Sequence, residues 1–313
     1  MNFLRLFFIL GFFSFLLAKT PAEETAEKIY LANINTLLIF TQESGLSSGK
    51  YRFTKSNFKM QSYNLPFTYH LKPFNEKMNW FIDGGVGYSI TKLITSTPVV
   101  APASNAPSIE LTHDNKLKTY TGGLGGGLRY RSDWGIDFSI GAGLIYSRVG
   151  TSITPKDDPG DVIKDVFDSN YNDNITYKFL LLAEHEKKLF GYRTYFKAGM
   201  KHYETKSDFT FKELSSFRAQ SNVVSLSMGV ETKPFFKYKE KDVSFEPYVK
   251  MNYIQGDVED VVQFSRYMNL GLVAYYNTPK EPAWAKRFYL EVSTVRAEGL
   301  EGYNVGIGFT IDY

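Results

Sequence analysis

The last eleven residues of the chain alternate strictly between apolar and polar positions. Every odd position from Tyr303 to Tyr313 carries an apolar or aromatic side chain, whereas the even positions are polar or glycine. Because successive side chains of a β-strand point to opposite faces, this pattern predicts a strand with one apolar and one polar face. An exposed edge strand of this kind brings little benefit to the terminus of a soluble protein. The pattern therefore favours a strand that closes a barrel.

The same alternation recurs along the rest of the chain. Between Trp80 and Thr91 apolar residues alternate with aspartate, glycine and serine, and the stretch from Trp134 to Tyr146 repeats the pattern. Aromatic residues often stand at both ends of a run, as the interfacial girdles of a membrane barrel require. We predict an all-β fold, namely a transmembrane antiparallel up-and-down β-barrel, with the even strand number of bacterial single-chain barrels. The twelve predicted strands are 34–43, 51–72, 79–96, 116–131, 134–149, 174–187, 191–206, 222–233, 243–256, 266–277, 287–297 and 303–313.

The apolar face of the closing strand ends in a candidate assembly signal. Phe309, Ile311 and Tyr313 are similar to the C-terminal signal that the bacterial barrel-assembly machinery reads. We therefore expect this machinery and the lipid of a Gram-negative outer membrane as partners. The sequence does not predict an oligomeric state.

The linkers between the predicted strands alternate in length. Those after the second, fourth, sixth and eighth strands are short, whereas 96–115, 150–173 and 207–221 are long. Short periplasmic turns alternating with long external loops are typical of outer-membrane barrels, so we expect both termini in the periplasm. The contrast fades later in the chain, where 256–265 and 277–286 are similar in length.

The apolar phase changes once within the predicted second strand. Phe58 and Met60 occupy even positions, whereas Tyr63 and Leu65 occupy odd ones. A bulge inserts one residue and shifts the phase of a strand, so we predict a bulge or an extracellular excursion near Gln61.

The N-terminus is typical of a secreted protein. A short basic start, Met1–Arg5, precedes the apolar run Leu6–Leu17, which is too short for a membrane span of about 20 apolar residues. The polar segment after it predicts either a mobile periplasmic lead or a short helix in the barrel lumen. The predicted organisation is a signal peptide at 1–18, with cleavage as late as 22 also open, a lead or lumen helix at 19–33, and the barrel at 34–313.

Composition narrows the class of protein further. Aromatic residues make up 16% of the chain, with 22 Tyr and 26 Phe, and Tyr suits both strands and the lipid–water boundary. The absence of Cys excludes disulfides, thiolate zinc sites and a Cys nucleophile. A formal net charge of +3 argues against nucleic acid as a partner. No spacing matches a metal or cofactor motif, so we expect neither.

The polar faces of the strands supply the candidate functional residues. Their charges have both signs, so two interpretations stay open: a weakly selective, porin-like pore for small solutes, or a lumen filled by cross-strand ion pairs and a plug. The intermediate width of twelve strands favours the filled lumen. The inward glycines Gly85, Gly87, Gly123, Gly125, Gly141 and Gly143 leave space for a helix, a loop or water. The lumen-facing candidates are Asp83, Arg129, Arg131, Asp137, Lys178, Arg193, Lys197, Glu231, Glu246, Lys250 and Glu291.

Two segments carry a resemblance to a known family. The stretch from Asn64 to Leu71, followed by that from Phe81 to Ser89, is similar to the start of solitary outer-membrane autotransporter-like barrels. The twelve predicted strands after a signal and a short lead also look like an autotransporter translocator domain. The resemblance implies a translocator-type barrel, and we expect no passenger domain before it. We therefore expect a structural or small-solute pore role.

An outer-membrane lipase or acyltransferase is the competing interpretation. Such enzymes use Ser, His and a polar orienting group near the lipid boundary. Of the four histidines, His70, His113, His185 and His202, only His202 lies on the apolar phase near the outer rim, and no serine is identifiable opposite it. We therefore expect no enzymatic activity, and surface adhesion through the long loops remains a further alternative.

Overall fold

The computed structural model describes residues 46–99, 109–155, 171–209, 216–238, 241–277 and 287–310. Among these residues, no helix has the length and apolar content needed to cross a bilayer. The described elements are β1 (Leu46–Phe53), β2 (Phe58–His70), β3 (Met78–Val99), β4 (Ile109–Arg131), β5 (Ile136–Pro155), β6 (Tyr171–Leu189), β7 (Tyr192–Phe209), β8 (Phe217–Glu231), β9 (Phe236–Tyr238), β10 (Lys241–Gly256), α1 (Asp257–Val262), β11 (Arg266–Asn277), β12 (Arg287–Ala297) and β13 (Leu300–Thr310).

The strands form a closed antiparallel barrel. Each long strand pairs with the next in sequence, and β13 pairs with β1 to complete the ring. The short β9 adds to the end of β10, while β10 itself pairs with β8 and β11. Twelve strands therefore make the wall, which confirms the predicted all-β barrel and its strand number.

The two ends of the barrel differ in what they carry. At one end, Leu46 of β1 lies opposite Ile307 of β13, so the first and last described strands begin and end together. We call this the terminal end. At the opposite end, here called the loop end, lie the β1–β2 turn, helix α1 and the β12–β13 turn.

The outer wall carries the apolar side chains that the alternation predicts. Leu124 is 63% exposed and Ile140 is 59% exposed. Tyr63, Tyr88 and Tyr120 are direct partners on β2, β3 and β4, with ring centroids 6.3 and 5.0 Å apart. They form an aromatic row on the loop-end side of the apolar belt, where tyrosine is typical of a lipid–water boundary.

The N-terminal strands differ from the prediction. The predicted strand 34–43 lies outside the described residues, and the barrel closes through β1 instead. The predicted strand 51–72 is wrong as one element, because it contains the end of β1, the turn 54–57 and β2. The sequence pattern did not reveal this hairpin, because apolar residues occupy both of its strands.

The predicted bulge or extracellular excursion near Gln61 is also wrong. β2 pairs with β3 in an unbroken register from Phe58 to His70. Phe58 and Met60 are buried inside the barrel, whereas Tyr63 and the later odd residues are exposed outside. The phase change therefore reports a change in which face is apolar, not an inserted residue.

Several strands are longer than predicted. β3 and β4 have 22 and 23 residues, whereas a strand needs only about 9–11 to cross a bilayer. The predicted loops 96–115 and 150–173 shorten accordingly, since β3 runs to Val99 and β6 begins at Tyr171. The strands thus continue past the apolar belt toward the loop end.

Candidate functional site

The barrel interior at the loop end is apolar. Two buried clusters line opposite walls, and every barrel strand except β3 and β6 contributes a buried side chain to them, while Leu93 of β3 packs against the first. We call these clusters the loop-end core. Its first cluster contains Tyr51, Phe53, Phe58, Met60, Ile254, Val258, Val262, Phe264, Tyr267, Val295 and Leu300, and its second contains Leu117, Val149, Tyr203, Phe217, Ala219 and Val223.

Helix α1 lies inside the loop-end core. Val258 is fully buried, Val262 is 1% exposed, and Val261 packs against both clusters. The helix leaves β10 at Gly256, whose φ of 91° favours glycine and where a Cβ would collide with the carbonyl of Gln220. The sequence predicted only a linker here, because six residues are too few to show a helical period.

Two hydrogen bonds tie α1 to opposite sides of the ring. The Ser56 hydroxyl in the β1–β2 turn donates to the carbonyl of Val261 at 2.7 Å. The backbone N–H of Gln220 on β8 donates to Asp257 Oδ2, also at 2.7 Å. Because β8 and the β1–β2 turn lie on opposite sides of the twelve-stranded ring, the helix and the turn together bridge the lumen.

An ion pair joins two loop-end turns next to this helix. Lys55 Nζ lies 2.7 Å from Glu298 Oε1, between the β1–β2 and β12–β13 turns. The hydrogen bond and the positive charge of Lys55 lower the pKa of the Glu298 carboxyl. Both side chains are solvent-accessible, so the pair contributes little to stability.

Toward the terminal end the interior becomes charged. Asp137 accepts hydrogen bonds from Arg129 Nη2 at 2.6 Å and Arg131 Nε at 2.7 Å. Lys197 Nζ lies 2.9 Å from Glu184 Oε1. These pairs join neighbouring strands, so they hold their charges against the wall.

Other pairs cross the lumen. Lys178 on β6 binds Asp83 on β3, and Arg287 on β12 binds Glu231 on β8. Two strands separate the members of each pair, so their side chains meet inside the barrel. Glu231 also accepts a hydrogen bond from Ser244 Oγ at 2.6 Å and one from Arg193 Nη1 at 3.2 Å.

Arg287 is a buried interior residue that the sequence candidates omit. Its guanidinium donates to Asn277 Oδ1 at 2.8 Å and stacks on the Tyr275 ring at 3.9 Å. The alternation contained the signal, because Arg287 shares its parity with Glu291 on the same strand. Its position at the start of the strand, next to an apolar run, obscured it.

The remaining candidates have different surroundings. Glu246 is 8% exposed and forms no ion pair with any described residue, Glu291 accepts a hydrogen bond from the Tyr248 hydroxyl, and Lys250 is half-buried. Phe309 is exposed on the outer wall beside Phe288, whereas Ile311 and Tyr313 lie outside the described residues.

The inward glycines make room for two side chains of β3. A Cβ on Gly141 would lie 3.0 Å from Phe81 Cζ, and one on Gly125 would lie 2.6 Å from Asp83 Oδ1. Part of the space predicted for a helix, loop or water therefore holds the Phe81 ring and the Asp83 carboxylate. A cavity of about 360 Å³ remains beside them, and its lining includes Asn64, His70, Asp83, Lys178, Glu184 and Lys201.

The three histidines whose side chains the structure describes do not gather into one site. His202 is half-buried and its Nδ1 lies 2.8 Å from Asn222 Oδ1, with its ring beside Phe179 on the outer wall. His185 Nδ1 lies 3.1 Å from the carbonyl of Gly135, and His70 Nε2 lies 3.5 Å from Arg129 Nη1. Within the described ranges, no group of three or more potential metal ligands occurs.

The barrel is similar to several solved structures. Against the translocator domain of the autotransporter NalP from Neisseria meningitidis the TM-score is 0.55, at 11% identity, covering 93% of this chain and 97% of that chain. The β domain of the Bordetella autotransporter BrkA gives 0.53 at 10% identity, covering 84% and 98%. The transport unit of the autotransporter AIDA-I from Escherichia coli gives 0.51 at 9% identity, covering 94% and 100%.

No protein-family model matches the chain, and no curated protein resembles it in sequence. At 9–11% identity the likeness to solved structures establishes the fold alone. The predicted resemblance is confirmed at this level: the chain forms an autotransporter-like twelve-stranded β-barrel.

Proposed function

We propose that the protein is an outer-membrane barrel with its termini in the periplasm and its loop end outside, and that it acts as a closed structural barrel and not as an open pore. One observation carries the proposal: helix α1 lies inside the loop-end core, with Val258 and Val262 buried and with hydrogen bonds to β8 and to the β1–β2 turn. The barrel-assembly machinery and outer-membrane lipid are the partners that this location requires.

The physical reason is the polarity of the loop-end core. An ion that crosses it would exchange water for apolar side chains, and a hydrophobic constriction blocks ions even where space exists. The charged interior at the terminal end offers no such barrier. Closure therefore depends on a thin apolar layer whose centre is α1.

A planar-bilayer experiment tests the proposal. The barrel is purified from the outer-membrane fraction, and steady conductance is compared between the wild type and the double variant Val258→Asp/Val262→Asp. We expect no steady conductance from the wild type and frequent openings from the variant, because two carboxylates would hydrate the apolar layer. Asp260→Ser, on an exposed position of the same helix, is the matched control and should behave as the wild type.

Two results would contradict the proposal. A steady conductance of the wild type equal to that of the double variant would show that α1 does not close the lumen. Recovery of the protein from the soluble periplasm would contradict the location.

The proposal assigns no reaction to the barrel. The polar partner of His202 is an asparagine amide, 2.8 Å away, and not a serine hydroxyl. A nucleophilic mechanism requires the hydroxyl within hydrogen-bond reach of the base. Release of fatty acid from outer-membrane lipid by the wild type, with loss of that release in His202→Gln, would instead support the enzymatic alternative.

A further inference from the structure

The outer wall near the loop end carries a row of four basic residues on four consecutive strands. Arg52 of β1 is the direct register partner of Lys59 of β2, Lys59 of Lys92 of β3, and Lys92 of Lys116 of β4. All four side chains are exposed. We call this set the cationic row. At an interstrand spacing of about 4.8 Å, it is roughly 14 Å long.

The cationic row meets one carboxylate, at its β13 end: Glu301 is the register partner of Arg52 and forms its ion pair with Arg296 at 2.9 Å. Within the part of the chain that the structure describes, none of its four side chains forms an ion pair with a carboxylate. Lys50 and Lys118 add two more cations one pleat closer to the apolar belt. Like charges directly opposite each other on neighbouring strands are destabilising, so anions from outside the chain would stabilise the row.

The height of the cationic row above the lipid–water boundary indicates that the anions are lipid headgroups. The aromatic row of Tyr63, Tyr88 and Tyr120 marks the lipid–water boundary, and Lys59, Lys92 and Lys116 each stand four residues beyond it. Four residues span about 13 Å of strand, or about 10 Å along the barrel axis at the usual tilt. Lys50 and Lys118 lie at roughly half that height, at the depth of lipid headgroups.

A shallow groove lies beside the row. It has a volume of about 510 Å³ and lies on the outer wall over β13, β1, β2 and β3. The charged residues that line it are five cations and one carboxylate, namely Lys50, Arg52, Lys59, Lys92, Arg296 and Glu301, and the apolar part of the lining includes Ile90 and the Tyr303 ring. Cations above and apolar side chains below match an amphiphile with an anionic head and acyl chains.

We propose that the cationic row and this groove bind the phosphorylated glycolipid of the outer leaflet. A single phosphate contacts only two or three side chains, whereas the row presents four cations over roughly 14 Å. A disaccharide headgroup with two phosphates uses the whole row, and its acyl chains lie against the apolar belt. The proposal rests on the proposed orientation, in which the loop end faces outward.

Binding to purified barrel in neutral detergent micelles tests the proposal. The ligands are bis-phosphorylated lipid A, dephosphorylated lipid A, phosphatidylglycerol and inorganic phosphate, with affinity measured from native mass spectra. The variant is Arg52→Gln/Lys59→Gln/Lys92→Gln/Lys116→Gln. The control, Lys72→Gln/Lys187→Gln/Lys188→Gln/Lys237→Gln, removes the same charge from exposed positions near the terminal end. Heat-modifiable migration verifies that each variant is folded.

We expect bis-phosphorylated lipid A to bind the wild type and the control equally and the row variant at least tenfold more weakly. Equal binding to the row variant would overturn the site, and an equal loss in the control would show a general charge effect. Competition by inorganic phosphate would reassign the row to free phosphate, and equal binding of phosphatidylglycerol or dephosphorylated lipid A would exclude the bis-phosphorylated glycolipid as the specific ligand.

Two features keep the test decisive. If the row variant does not fold, the double variants Arg52→Gln/Lys59→Gln and Lys92→Gln/Lys116→Gln replace it, and each should lose part of the affinity. Micellar binding depends neither on a closed lumen nor on orientation, so its failure is distinguishable from failure of the bilayer experiment on α1.

Discussion

The loop end and the membrane-facing part of the barrel use the same strand alternation with opposite polarity. Around Ile140 the apolar side chains point outward, and the inward groups are glycine, serine and charged residues. Around Phe53 the inward side chains are apolar and buried, and Arg52 next to it is exposed outside. The reversal occurs within single strands, such as β2, without any break in register.

The difference shows that solvent outside the wall, not the barrel fold, decides which face is apolar. Where lipid surrounds the wall, the outer face must be apolar and the lumen can hold charges. Beyond the lipid, water surrounds the wall and the interior becomes the core, as in small soluble barrels. The loop-end core is thus a short soluble-type barrel continuous with a membrane barrel.

The loop-end core offers the largest expected effect. Phe53 is 1% exposed and its ring stacks on Phe58 with centroids 4.0 Å apart. Phe53→Ala should lower the free energy of unfolding by about 3–5 kcal/mol, the range for truncating a buried phenylalanine. Urea unfolding of the refolded barrel in micelles measures it.

The matched control lies on the outer wall at the same level. Glu301 is the register partner of Arg52, and its ion pair with Arg296 is solvent-exposed. Glu301→Ala should therefore leave stability nearly unchanged. A larger loss from Glu301→Ala than from Phe53→Ala would mean that inside and outside are not reversed at this end.

In the membrane-facing region, substitutions on the outer face should cost more stability than substitutions on the inner face. Ile140→Arg places a charge against lipid and should cost about 2–4 kcal/mol of unfolding free energy, and Leu128→Arg on β4 should follow it. The inward control is Lys201→Gln, since Lys201 has no hydrogen bond or ion pair to a described residue. Refolding in lipid vesicles followed by urea titration compares the variants. If the arginine substitutions cause no loss of stability, the outer face of the barrel does not contact lipid.

A neighbouring glycine is a poorer control than the sequence suggests. Gly141 faces inward as alternation predicts, but the Phe81 ring lies against it. Serine at this position must displace that ring by a few tenths of an ångström. Gly141→Ser therefore tests the packing of Phe81, not simply which face is wet.

The sequence predicted the features that depend on period two. The closed barrel and the outward positions of Leu124 and Ile140 follow from alternation. The strand number agrees as well, although the predicted strand 34–43 lies outside the described residues and the predicted strand 51–72 contains two strands. The β1–β2 hairpin did not, because Phe58 and Met60 lie in an apolar interior that a membrane barrel was not expected to have. Helix α1 also escaped detection, because its few residues are held by the surrounding wall.

The ion pairs across the lumen lie beyond sequence reasoning for a different reason. Alternation gives the inward parity of Asp83, Lys178 and Glu231, but partners two strands apart depend on the stagger and tilt of the closed barrel. Register must be known around the whole ring before Arg287 can be matched with Glu231. The sequence shows only that the inward-facing residues include both positive and negative charges.

Two arginines of β12 provide the smallest and finest test of the comparison. Arg287 lies inside the barrel near the terminal end, where it binds Glu231 and Asn277 and stacks on the Tyr275 ring. Arg296 lies on the outer wall near the loop end, 2.9 Å from Glu301. Arg287→Gln leaves a half-satisfied carboxylate in the lumen and should cost about 1–3 kcal/mol of unfolding free energy. Arg296→Gln removes a solvent-exposed pair and should be close to neutral. The double variant Arg287→Gln/Glu231→Gln should recover part of the loss, because it removes the uncompensated charge. The measurement is the urea midpoint of the wild type, the two single arginine variants and the double variant in micelles. Equal losses of stability in the two single variants would mean that the charged lumen is as hydrated as the outer rim.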